Sequence, residues 1–321
     1  MGVSVEEVIW CYRMILGREP ESPRAISVHT NISDVTALRE AFFRSREFST
    51  QGRASVDLRQ KVGRLPLDVP ANEIEYSATE TQLNQCLQKI KAAWSHMGNT
   101  KPHFSVITNK QYLPDTLEEN ISSFWASGMI EAECVEKILL RYKIGSLFSR
   151  VCVEFGCGVG RVTMGLAKRF GVVHAYDISQ GHLSLAEQRA QELRQNNCDF
   201  HLCSDRFLEA LEVCDVFYSR IVFQHNPPPV IVRLIENALR ALKPNGIAIF
   251  QVPTYCVDYR FVLKEWLIVE NELGMEMHCL PQHAIWEIIK NACCEVLEVR
   301  EDDAPGTSRF ISNTFVIRKL P

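Results

Sequence analysis

Eight consecutive residues, Glu154-Phe155-Gly156-Cys157-Gly158-Val159-Gly160-Arg161, carry the strongest chemical signal in this 321-residue chain. They follow a short apolar run, VCVEF (151–155), and lead into RVTMGLAKRF, which reads as a helix. Glycines let a backbone turn tightly and approach a ligand closely. The helix start that follows offers unpaired N–H groups. A dinucleotide fingerprint, G-x-G-x-x-G, would need glycine at 161, where arginine stands. The pattern is instead acid-x-G-x-G-x-G. A carboxylate just before the turn would repel a pyrophosphate, but it suits a cationic amine. Asp177 closes the next apolar run, VVHAYD (172–177), and is placed to hold a ribose diol by two hydrogen bonds. An adenosine that carries an amino acid meets both requirements.

These residues need a sheet to position them, and the pattern supplies one. After residue 150 the chain alternates strand, turn and helix. Strands are expected at 151–155, 172–177, 199–203, 213–219 and 247–253, with helices from 181 to 195 and from 230 to 242. Such alternation predicts a parallel, doubly wound sheet with helices on both faces. Ligands then bind at the carboxyl ends of its strands. A helix near 282–291 and two closing strands, 294–299 and 313–318, add an antiparallel edge. The expected fold class is a Rossmann-like α/β, mainly parallel, seven-stranded sheet behind a small all-α N-terminal domain.

Upstream, Val5, Val8, Ile9, Tyr12, Ile15 and Leu16 fall at helical spacing. Gly17 and Pro20 end that helix, Ser22-Pro23 starts a second, and a third begins near Asp34. No residue set in this segment points to chemistry, which leaves docking or dimer contact as its expected role. Residues 51–100 read as a linker plus a helix on the stripe Leu83, Cys86, Leu87, Ile90 and Trp94, ended by Gly98-Asn99. Between Thr116 and Tyr142 the pattern predicts two short helices broken at Ser127-Gly128. The expected domains are 1–50, 51–100 and 101–321, with a core at 145–255 and a substrate cover and edge strands at 256–321.

Composition narrows the function classes. Lys plus Arg is 35 against 39 Asp plus Glu, a balance without the basic footprint of nucleic-acid binding. No apolar run reaches the ~18 residues of a membrane span. The first residues, MGVSVEEVIWCYR, carry acids where a signal peptide needs positive charge. The twelve cysteines form no C-x-x-C pair and read as free thiols in a reducing, cytoplasmic setting, with no metal site.

From residue 104 to 321 the chain resembles the class I S-adenosylmethionine-dependent methyltransferases. VCVEFGCGVGR resembles their first motif and YDIS (176–179) their second. DVFYS with IVFQH (215–225) resembles their fourth-strand motif, and ALKPNGIAIFQVP (241–253) their fifth-strand segment, with Asn245 in place of a glycine. The resemblance implies S-adenosylmethionine as cofactor and S-adenosylhomocysteine as product. Glu154 would meet the donor's amino group, with Phe155 and Arg161 in the same turn, and Gly156, Gly158 and Gly160 would form the floor. Asp177 would bind the ribose and Ile178 would pack on the adenine. Ser204 and Asp205 would flank the adenine edge, and Ser219 would lie under the methionine part. Trp125, Ser127 and Gly128 match a segment that closes over the donor in related small-molecule enzymes. Residues 1–50 also resemble a small helical domain of bacterial proteins, on Tyr12, Leu16-Gly17-Arg18-Glu19-Pro20 and Ser45-Arg46-Glu47-Phe48. Such domains often accompany surface-glycan enzymes.

The acceptor site is less defined. His225 follows the fourth strand, where an acceptor should lie, and histidine is the side chain best poised as a base near neutrality. Tyr255, Asp258, Tyr259 and His278 follow the fifth strand and are candidates for lining the acceptor pocket; His283 reads as a capping or surface residue. Asn226-Pro227-Pro228-Pro229 comes seven residues too late for an amino-methylating N-P-P motif. The expectation is methyl transfer to a small molecule or glycan, at oxygen. N- or C-methylation of a metabolite is the alternative within enzymes, and a non-catalytic scaffold on the same fold is the alternative outside them.

Overall fold

A computed structural model describes residues 2–45, 47, 69–203, 211–269, 275–307 and 309–321. The chain divides into two compact units, Met1–Ala71 and Asn72–Pro321. In the first, α1 (Val5–Cys11) is capped by the Ser4–Glu7 box and runs on as one wider turn, Tyr12–Leu16. Gly17 ends it in the left-handed region at φ 66°. The helices α2 (Pro23–Ser27) and α3 (Val35–Phe43) start on the side chains of Ser22 and Asp34. Val8, Cys11, Tyr12, Leu38 and Phe42 make the core. The two ends of the sequence motif meet here, because the Arg18 guanidinium grips Glu47 with two bonds, 2.5 and 2.7 Å.

The second unit holds a seven-stranded sheet in the order β4-β3-β2-β5-β6-β9-β8. Its strands are β2 (Val151–Phe155), β3 (Val172–Asp177), β4 (Cys198–Leu202), β5 (Cys214–Ser219), β6 (Leu242–Cys256), β8 (Cys294–Asp302) and β9 (Phe310–Lys319). A two-residue pair, β1 (Glu73–Ile74) with β7 (Arg260–Phe261), stands apart. Neighbours from β4 to β6 are parallel. The reversed strand is β9, antiparallel to both β6 and β8, so the outermost strand β8 again points with the parallel set.

Period-two alternation assigns each side chain to a face. Val153, Phe155, Phe217, Ala248, Phe250 and Phe315 share one core with α4 (Glu80–Thr100), α9 (Pro228–Ala241) and α10 (Gln282–Asn291). Cys152, Val216, Tyr218, Ile247, Ile249 and Val316 share the other with α6 (Leu117–Arg141) and α7 (Thr163–Ala167). α9 has no side-chain N-cap, a feature worth ~1 kcal/mol. It buries Val230, Ile231, Leu234, Ile235 and Leu239 at ~1.5–3 kcal/mol each, so packing holds it in place.

α4 packs into the sheet unit, which begins at Asn72. One expectation changes. α6 is one continuous helix, with no break at Ser127-Gly128. Gly128 is there for proximity: a Cβ at that position would lie 1.9 Å from the carbonyl oxygen of Arg161. An ordinary exposed helical glycine gains up to ~1 kcal/mol on replacement by alanine. Gly128→Ala is expected instead to destabilise the fold by roughly 1–3 kcal/mol, the cost of overpacking. Urea denaturation reads the difference, and a stabilised variant would contradict this packing.

Candidate active site

The carboxyl ends of β2, β3 and β5 open into a cleft enclosing about 890 Å³, open solvent included. Glu154, Phe155, Gly156, Gly158, Arg161, Asp177, Ile178 and Ser219, all expected from the sequence, line it. Asp177 organises the floor. Its Oδ2 accepts from the Gly158 N–H at 2.8 Å and its Oδ1 from the Ser179 N–H at 2.9 Å. His182 Nδ1 lies 3.3 Å from the same Oδ1. Three of the roughly four acceptor sites of the carboxylate are therefore used within the chain. Gly158 sits at φ +55°, and a Cβ there would press within 2.4 Å of Val106. Gly160 does not line the cleft; at φ +81° it lets the turn pack on Met164 and Ala186.

Glu154 and Tyr218 are register partners on the α6 face of the sheet. Among the described residues, Thr163 is the one hydrogen-bond partner of Glu154, donating to its Oε2 at 2.6 Å. Burial pushes the Glu154 carboxyl up to about 8 against that bond, and the Glu131 and Asp177 carboxylates add to the rise. Glu131, from α6, binds Arg161 Nη2 at 2.5 Å and accepts from the Tyr218 hydroxyl. Burial alone would raise Glu131, but the Arg161 and Arg220 guanidiniums outweigh it and hold the carboxyl below its ordinary value. Beside Asp177, the cleft thus has one buried acid held toward its neutral form and one ionised, paired acid.

The roof comes from α4 and α5 (Pro102–Val106), which bring Ile90, Trp94, Ser105 and Val106 to the cleft. Ile90 and Trp94 belong to a stripe that the sequence presents as ordinary core. Glu131, His182, Tyr218 and Arg220 also escaped the sequence reading. Glu131 had a signal, since it falls on the buried stripe Phe124, Gly128, Ala132, Val135 and Leu139 of α6. Past β5, Ile221 adopts φ 58°, strained for a β-branched residue, and its N–H is held by Gln251 Oε1 at 2.9 Å.

Several expected residues lie elsewhere. His225 is outside the cleft lining. Its Nδ1 donates to the Glu276 carbonyl at 2.8 Å, and its Nε2 lies 3.2 Å from the Gln224 amide nitrogen. Burial pulls its ring down to about 4. Trp125, Ser127 and Gly128 do not touch the cleft directly. Trp125 packs under Arg189, while Ser127 accepts from Arg161 at 3.2 Å and so orients a cleft residue. Tyr255, Asp258, Tyr259 and His278 are also outside the cleft lining. Tyr259 and His278 bond to each other at 2.8 Å, and His278 continues to Glu276 at 3.1 Å. Ser204 and Asp205 lie outside the described residues.

Residues 152–246 match the family model of a methyltransferase domain. Over that segment, from β2 into β6, the chain is similar to the methyltransferase domain family. A ubiquinone biosynthesis O-methyltransferase of Actinobacillus pleuropneumoniae serotype 5b (strain L20) is 23% identical over 179 residues, covering 52% of this chain and 73% of its own. The solved structure of magnesium protoporphyrin IX methyltransferase from Synechocystis PCC 6803 with bound SAM has a TM-score of 0.50 at 15% identity. That likeness covers 72% of this chain and 97% of that one, and it is one of fold. Among the described residues, no helix is long and apolar enough to cross a membrane, and all twelve cysteines are free.

Glu154 makes the methyltransferase fold sensitive to pH. Its carboxyl titrates near 8 in the folded chain against an ordinary 4.5, so unfolding releases a proton between those values. Stability attributable to Glu154 therefore falls as pH rises from 4.5 to 8. Glu154→Gln should remove that slope, stabilising the apo protein at pH 8 relative to pH 5 by on the order of 2–4 kcal/mol. Denaturant titrations at the two pH values measure it; parallel curves for both proteins would contradict the assignment.

Proposed function

We propose that this enzyme transfers a methyl group from S-adenosylmethionine to an anionic or acidic oxygen of a small-molecule acceptor. The observation that carries the donor half is the pair of acids flanking the glycine turn. Glu154 is buried, neutral and without a cationic hydrogen-bond partner among the described residues, and Asp177 is held rigid by two backbone amides. An ammonium group beside Glu154 would ionise it, and a ribose hydroxyl would take the remaining acceptor site of Asp177. S-adenosylmethionine supplies an electrophilic methyl on a sulfonium, so the protein's task is positioning.

The oxygen half rests on the β5 end of the cleft. Arg220 lines it, and its one ion pair among the described residues is a 3.5 Å contact with Glu131. Glu131 is already engaged by Arg161 and Tyr218. With His225 turned away, the described residues there offer a guanidinium and no unengaged base. This favours an acceptor oxygen that is already ionised near neutrality, as a carboxylate is. The curated relative named above is an O-methyltransferase by name, which supports oxygen. A glycan hydroxyl is favoured only by the N-terminal resemblance. For the N-terminal unit we propose docking or dimer contact; deleting residues 1–71 should leave donor affinity within about twofold, and loss of donor binding by a folded truncate would contradict the division.

The donor reading is tested by calorimetric titration with S-adenosylmethionine and S-adenosylhomocysteine, with NADH as control. Both sulfur compounds should bind and NADH should not. Asp177→Ala should weaken both by roughly 1–3 kcal/mol, the cost of stranding hydrogen-bond partners. Unchanged affinity in that variant would overturn the ribose assignment, and absent binding in the parent protein would overturn the donor.

A further inference from the structure

His182 is a buried histidine, 2% exposed, for which the donor reading has no use. It sits on α8 (Gln180–Glu192), one turn after Asp177. Its two ring nitrogens look in different directions. Nδ1 is 3.3 Å from Asp177 Oδ1, and since a carboxylate only accepts, that nitrogen carries a hydrogen. Nε2 is 2.8 Å from the hydroxyl of Ser105 on α5, and the same hydroxyl lies 2.8 Å from the Pro102 carbonyl. Asp177, His182 and Ser105 all line the cleft.

The backbone around this bridge is fitted closely. A Cβ at Gly98, near the end of α4, would fall 2.1 Å from Ser179 Oγ, and one at Gly181 would fall 2.4 Å from Asn99 Oδ1. On the far side, Val106 of α5 lies over Gly158. The roof helices therefore meet the floor at two places, and between them one imidazole joins a roof hydroxyl to a floor carboxylate. Apolar packing would serve if contact alone were needed. A polar bridge in a buried place makes sense only where both of its ends must be held in orientation.

We propose that His182 is a positioning residue for the donor. Its Nδ1–H fixes the Asp177 carboxylate in the rotamer that meets the ribose, and its Nε2 ties the α5 roof to that carboxylate through Ser105. This rests on the donor reading above and extends it to a residue that acts through Asp177, with no part in the transfer itself.

The test uses the full chain and calorimetry with S-adenosylhomocysteine and its 2′-deoxy and 3′-deoxy analogues. The parent protein should prefer the complete ribose by about tenfold over at least one analogue, the value of one hydrogen bond of ~1.4 kcal/mol. His182→Asn keeps an amide donor near the Nδ1 position and should retain that preference. His182→Gln keeps a polar group near the Nε2 position instead, and should lose about tenfold in affinity with the preference reduced to about twofold. Ser105→Ala should keep the ribose preference while S-adenosylhomocysteine binds about threefold more weakly. A residue that merely fills space would lower thermal stability in all three variants with the ribose preference unchanged, and that result overturns the proposal. So does the reverse order, with Gln retaining the preference and Asn losing it. Failure of the parent protein to bind S-adenosylhomocysteine would instead strike the donor reading.

Discussion

Most of the site hangs on one carboxylate that cannot leave its two amides. Asp177 accepts from Gly158 in the turn after β2 and from Ser179 in the turn after β3. Two adjacent parallel strands are thereby locked at their carboxyl ends, where the sheet opens. The lock sets where α7 and α8 begin, and with them the positions of Thr163 and His182. The same carboxylate is thus structural and functional, so its removal would be felt in both fold and ligand binding.

A second constraint works from the opposite face. Arg161 leaves the glycine turn and is caught by α6, through Glu131 and Ser127. The close approach of Gly128 to the Arg161 carbonyl brings the helix near enough for that capture. The ion pair is largely buried, and buried pairs gain little net stability while losing one partner is costly, about 3–5 kcal/mol. Its use is therefore orientation: it leaves Arg220 loosely paired at the β5 end and keeps Glu154 without a cation of its own. That arrangement suits a cationic ligand on one side and an anionic one on the other.

The sheet was legible in the sequence because strand, turn and helix each left a local pattern. The spans 151–155 and 172–177 and the turn between them needed no long-range information. The αL residues Gly17 and Asn245, at φ 66° and 64°, were likewise local. The roof was not legible, since an apolar stripe such as Leu83 to Trp94 looks the same whether its last members meet core or cleft. The surroundings of His225 were not legible, because its position after β5 is local but its partner, the Glu276 carbonyl, lies 51 residues away. Gly128 reads as a helix break by propensity, and only the carbonyl across from it reveals a close contact. Glu131 was within reach, as an acid on a buried helical stripe, had its face been considered.

The most direct measurement is a crystal structure of the chain with S-adenosylhomocysteine. The account predicts a ribose hydroxyl within hydrogen-bond distance of Asp177 and the amino group beside Glu154, with the sulfur end of the ligand directed toward β5 and Arg220. A ligand seated away from the Glu154–Asp177 turn, or one reversed so that its adenine lies at Arg220, would contradict it.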